Sequence, residues 1–115
     1  MDANQPLQIR VPTRLELPAV CALAGELARM HHGFDPARFL LPERVEAGYE
    51  RFFASELRDP HALVLAALLD DRIVGYAYGR LEPRDWNMLL DAHGALHDLY
   101  VDPAARHRGV ARRLV

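Results

Sequence analysis

A chain of 115 residues with a formal net charge of −2 carries one domain's worth of sequence, enough for a single core. Half of its residues are hydrophobic and 26% are charged, an ordinary globular mix, and the slight negative balance argues against a general nucleic-acid binder. The one cysteine, Cys21, excludes a disulfide frame and a Cys-based zinc cluster, and the longest apolar run, residues 62–69, is too short to span a membrane.

The N-terminus lacks the basic-then-apolar pattern of a secretory signal, so the cytoplasm is the expected location. Leu7 to Val11 alternates apolar and polar residues, as a half-buried strand does. Thr13 and Glu16 have capping-box spacing, and Leu17, Val20, Leu23, Ala24 and Leu27 then recur at helical spacing to about Met30. Pro18 lies early enough for the first turn to tolerate it, and Cys21 falls within the apolar pattern as a buried thiol. His31 to Leu41 is expected to be a loop, broken by Gly33 and Pro36. Pro42 fits the first position of a second helix, with Val45, Tyr49, Phe52, Phe53 and Leu57 on its buried side.

Asp59-Pro60 ends that helix. Ala62 to Leu69 reads as a core strand, Asp70-Asp71 as a turn, and Ile73 to Leu81 as the returning strand of a hairpin. Gly75 and Gly79 within it suggest a bulge or a close backbone approach. Glu82 to Gly94 reads as a partly packed excursion around Trp86, Met88 and Leu89, and Ala95 to Val101 as a fourth strand. Tyr49, Tyr76, Tyr78 and Trp86 are taken as core or groove-lining residues. A further helix begins near Gly109. Three successive strands with short connections predict an α/β domain of the α+β type: a mainly antiparallel sheet flanked by helices.

The chemistry concentrates at the end of the chain. Arg106, Arg108, Arg112 and Arg113 fall in the last ten residues with no acid among them. There a strand runs into a turn at a helix start, where unpaired N–H groups and the positive end of the helix dipole suit a phosphate. Gly109 lets the backbone approach an anion, and Ala111 keeps the next turn small. The plain alternative is a surface turn with solvated arginines.

Leu-Tyr-Val-Asp-Pro at 99–103, followed by Arg106-x-x-Gly109-x-Ala111 and an apolar helix start, resembles the acetyl-CoA signature of the GNAT N-acetyltransferases. The upstream order of elements is also similar to that family. The resemblance implies a mixed, mainly antiparallel acyl-CoA N-acyltransferase fold, with residues 1–115 as a single domain lacking the C-terminal strands and helix. It implies acetyl-CoA as cosubstrate. The turn of Arg106, His107, Arg108, Gly109, Val110, Ala111 and Arg112 would bind it, with the amides of Arg108 to Arg112 on the pyrophosphate. The backbone at Leu99, Tyr100 and Val101 would pair with the pantetheine arm and orient the acetyl carbonyl. His107 is read as a solvent-facing neighbour of that turn. The acceptor would be an amine of a small molecule or a peptide.

The same resemblance makes His97 the candidate base for deprotonating the amine, a task suited to a histidine. Asp98 could attract a cationic amine or merely pair with an arginine; ideal alternation puts it on the face opposite His97, although a bulge could re-aim it. His31, His32, Phe34, Asp35 and Arg38 lie in a region that borders the acceptor site in the family. No metal site is expected: His93 and His97 are four apart, but Gly94 and the strand pattern deny them a helical face. Two readings of the whole follow, an acetyltransferase and a non-catalytic CoA-binding or dimerisation module of the same fold. A fourth strand with an open edge would also allow a homodimer through that edge.

Overall fold

The computed structural model describes residues 6–115; the part of the N-terminal reading that falls on residues 1–5 lies outside them. The elements run β1 (Leu7–Arg10), α1 (Leu17–Phe34), α2 (Val45–Glu56), β2 (Ala62–Leu69), β3 (Arg72–Glu82), β4 (His93–Val101) and α3 (Val110–Leu114). The sheet order is β1-β2-β3-β4 and every pair is antiparallel, with β4 at one edge.

The helix start at Thr13 forms as its spacing requires. The Glu16 carboxylate accepts from the Thr13 N–H at 2.8 Å, and the Thr13 hydroxyl accepts from the Glu16 N–H at 3.3 Å. A 3-10 turn at Arg14–Glu16 leads into α1, with Pro18 in its first turn. Arg10 clamps the same carboxylate with two nitrogens, at 2.6 and 2.7 Å. These hydrogen bonds, the Arg10 bond foremost, hold the Glu16 carboxyl down at about 2.

Helix α1 outruns its expected end. Residues His31 to Phe34 are helical rather than loop, because Gly33 alone does not break a helix whose preceding turns are packed. The break comes at Asp35, whose N–H closes back on the His31 carbonyl at 3.1 Å. The His32 ring bonds the Phe39 carbonyl at 2.8 Å, folding the loop back on the helix end. Helix α2 starts at Val45 rather than Pro42, after Arg44 in the left-handed region.

The core lies on both faces of the sheet. On one face Leu17, Val20, Leu23, Ala24 and Leu27 of α1 and Phe53 of α2 pack on Val64, Ala66, Leu68, Tyr76, Tyr78 and Tyr100. Phe53 is fully buried, and truncating such a side chain to alanine costs about 3–5 kcal/mol. Phe52, expected inside, is 43% exposed, one helical position away from that face. Cys21 is buried as expected, and burial pushes its thiol up to about 11. On the other face Ala67, Leu69, Val74, Ala77 and Val101 meet Val110 and Leu114 of α3.

Two irregularities set the phase of the sheet. Ala67 pairs Gly75 while Leu68 pairs Ile73, so Val74 is an extra residue on β3. Val74 and Gly75 both face α3; a Cβ on Gly75 would stand 3.3 Å from Val110 and 3.4 Å from Leu114. The second bulge is on β4, where Tyr78 pairs Asp98 but Gly79 pairs Leu96. His97 is the extra residue. Gly79 opposite is forced by the approach, since its Cβ would lie 2.7 Å from the Ala95 carbonyl oxygen. The expectation of a bulge or close approach at the two glycines therefore holds in both forms.

The excursion between β3 and β4 does not pack. Trp86, Met88 and Leu89 are exposed, and a short bridge between Asp85 and Leu90 closes the loop on itself. Its apolar residues suggested burial, but Asp85 caps Asn87 and Met88 and the Arg84–Asp91 pair ties the base, so the loop is held locally.

Candidate active site

The site is organised along β4. Its Val101 end leads through Asp102-Pro103 into the basic turn. The Asp102 N–H donates to the Val74 carbonyl at 2.8 Å, so the backbone of Asp102 faces β3. Alternation then turns Tyr100 toward β3 and Leu99 and Val101 toward the open edge. The Val101 carbonyl confirms the phase: it accepts from Arg106 Nε at 2.9 Å, from outside the sheet. The Arg106 guanidinium also lies over the Tyr100 ring, 5.2 Å from its centroid. Arg106 is thus a brace between the strand end and the turn.

Beyond Arg106 the chain turns sharply. His107 and Gly109 both have positive φ, 67° and 76°, and Gly109 caps α3 without a side chain. The N–H groups of Val110, Ala111 and Arg112 open the helix, where no helical carbonyl precedes them. Leu99, Tyr100, Val101, Arg106, His107, Gly109, Val110, Ala111 and Arg112 line one hollow of about 450 Å³, with Met30 of α1 also in its wall. Arg108 is the one residue of the expected set that does not line it. The donor set fits a diphosphate: consecutive helix-start amides with arginines at hand.

A second hollow, about 440 Å³, lies at the bulge, lined by Tyr49, Phe52, Glu56, Tyr78, Arg80, Glu82, His97 and Asp98. Here the structure corrects the alternation argument. The bulge puts two consecutive side chains on one side of the strand, so His97 and Asp98 both face the helix-covered layer. The Tyr76 hydroxyl donates to Asp98 at 3.0 Å, and no arginine pairs with that carboxylate among the described contacts. Burial pushes the Asp98 carboxyl above its ordinary range, against the Tyr76 bond, which favours the charged form. His97 stacks on Tyr78 with centroids 5.6 Å apart, and its Nε2 lies 2.7 Å from a Glu82 oxygen. Arg80 is held by Glu56 at 2.7 Å and Asp59 at 3.2 Å, which leaves the hollow with an acidic excess and aromatic walls.

Glu82 is the residue the sequence reading missed. The sequence puts it at the start of an excursion, whereas β3 continues through it and pairs it with His93. The residues around the end of α1 are only partly engaged. His31 acts on Asp98 electrostatically, Arg38 stacks on Phe39, and Phe34 is exposed.

The model of the acetyltransferase (GNAT) family matches residues 27–115, a span that includes both hollows. The chain belongs to the GNAT acetyltransferase family. Solved structures agree on the fold. The BH1408 protein of Bacillus halodurans, in a single-site mutant, superposes with a TM-score of 0.77 at 21% identity, over 92% of this chain and 68% of its own. The aminoglycoside 6'-N-acetyltransferase AAC(6')-IG of Acinetobacter haemolyticus gives 0.70 at 21% identity, over 93% and 65%. A protein of Clostridium acetobutylicum named as a predicted acetyltransferase, solved with acetyl-CoA, gives 0.66 at 14% identity, over 94% and 68%. This GNAT chain therefore spans about two thirds of the length of these structures. No curated protein sequence matches it. Among the described residues no helix is long and apolar enough to cross a membrane.

Proposed function

We propose that this chain carries the working centre of an acetyl-CoA-dependent N-acetyltransferase acting on an amine of a small molecule or peptide. The observation that carries the reading is the meeting of nine of the ten residues expected to bind acetyl-CoA in one hollow at the open edge of β4. A second hollow with an acid and a histidine lies on the same strand.

In this reading the helix-start amides and the arginines of residues 106–112 hold the pyrophosphate of acetyl-CoA. The edge-facing backbone of Leu99 and Val101 pairs with the pantetheine arm and polarises the acetyl carbonyl. The neighbour solved with acetyl-CoA lends support through its shared fold. The acceptor enters as an ammonium ion drawn by Asp98 and the acidic second hollow. His97 removes one proton, the amine nitrogen bonds to the thioester carbon, the carbon–sulfur bond breaks, and coenzyme A leaves as a thiolate that takes up the nitrogen's second proton as the amide forms. The described residues assign no general acid to that thiolate.

A thioester-consumption assay with acetyl-CoA across a panel of amines tests this. Turnover that depends on one amine class is expected. Stabilisation by CoA without turnover on any amine would replace the enzyme by a CoA-binding module, and absence of both would remove the reading.

A further inference from the structure

We infer that Glu82 is a positioning residue, holding His97 in the tautomer whose free lone pair is on Nδ1. The inference rests on the reading of His97 as base and extends it to a residue on another strand.

One backbone feature and two contacts restrain the His97 ring. The β4 bulge makes His97 the extra residue, so its side chain shares a face with Asp98 instead of alternating away. The Tyr78 ring covers one face of the imidazole, centroid to centroid 5.6 Å at an interplanar angle of 28°. Glu82 then takes Nε2 at 2.7 Å. A carboxylate only accepts, so the hydrogen of the neutral imidazole must sit on Nε2. Nδ1 is left as the one nitrogen that can receive a proton. Among the described hydrogen bonds Nδ1 has no partner.

The arrangement has the logic of a carboxylate that orients a histidine in a triad: it fixes tautomer and ring plane. The paired register supports it. Glu82 stands opposite His93, and Arg80, two residues earlier on the same face, is tied to α2 and the following turn by Glu56 and Asp59. The end of β3 that carries Glu82 is therefore anchored.

The test is nitrogen-15 NMR of the full chain, with His97 assigned by His97→Gln. Wild type should show a single neutral tautomer with hydrogen on Nε2, and Glu82→Ala should show a mixture. Glu82→Asp should recover part of the wild-type signature, and thermal melts confirm that each variant is folded. A mixed or Nδ1–H tautomer in wild type, or an unchanged spectrum in Glu82→Ala, overturns the inference. Kinetics with acetyl-CoA and putrescine, tryptamine or kanamycin give the second readout. Glu82→Ala should lower kcat at least about 10-fold, on the scale of losing a carboxylate that orients a metal-bound histidine, with KM for acetyl-CoA unchanged. If His97→Gln abolishes turnover while Glu82→Ala leaves kcat intact, the positioning role fails and the base stands. If His97→Gln leaves turnover intact, the base reading fails by itself, and the NMR still decides the pairing.

Discussion

The two ends of β4 do opposite electrostatic work. At the Val101 end the strand delivers amides and arginines, and the hollow there is shaped by backbone: a positive-φ glycine, a helix start, an open strand edge. At the His97 end the hollow is shaped by side chains: three carboxylates, one histidine, one ion-paired arginine and three aromatic rings, with the bulge setting His97 beside Asp98. The first suits an anion, chiefly through backbone groups. The second suits a cation and depends on which way two side chains point. The proposed reaction brings an anionic donor and a cationic acceptor to one carbonyl, and one strand with unlike ends suits both.

That contrast can be broken by substitution. His97→Gln should have the largest effect, lowering turnover by 100-fold or more as expected for a lost general base. Acetyl-CoA affinity by calorimetry should hardly move. Equal losses in both would mean that the two ends are not separable. Gly109→Val should do the reverse, since a β-branched residue strains the backbone at φ 76° and crowds the anion. We expect a tenfold or greater loss of acetyl-CoA affinity, roughly 1.4 kcal/mol or more, with amine selectivity unchanged in a panel assay.

Asp98→Asn sharpens the acidic side. A carboxyl whose folded pKa is raised contributes stability at low pH and loses it as pH rises past its ordinary 3.8. The asparagine variant removes that loss, so its Tm at pH 7 should exceed wild type by a few degrees, about 1 kcal/mol or less. Its turnover should fall, a trade between stability and activity.

Thr13→Ala, remote from both hollows, should have the smallest effect. It should cost about 1 kcal/mol in urea unfolding and leave both hollows intact. Because Glu16 is held at about 2, the stability from this cap should be complete above the ordinary 4.5 and lost as pH falls toward 2. A Glu16→Gln chain titrated in parallel should show no such loss.

The Val101 end was largely legible in the sequence, and the His97 end was not. Residues 99–112 carry their geometry locally: an Asp-Pro exit, a glycine where φ must be positive, an apolar helix start. β2 was likewise readable to its end residues, because a continuous apolar run between turn signals admits few alternatives. The bulge at His97 arises from how β4 counts against β3, a relation between residues 18 positions apart that no local pattern carries. Gly79 was the one sequence sign of it, and it lies on the other strand. Glu82 was lost for the same reason, since its value depends on a partner brought across by pairing.

The sheet order has a kinetic consequence. β2, β3 and β4 follow one another in the chain and pair as neighbours, joined first by the two-residue Asp70-Asp71 turn with both φ positive. β1 reaches its place beside β2 only after both long helices have been laid down. Loop closure therefore favours the meander as the early-forming unit and makes docking of β1 the late step. The strand proposed to carry the chemistry forms with the first unit, and β1 docks last.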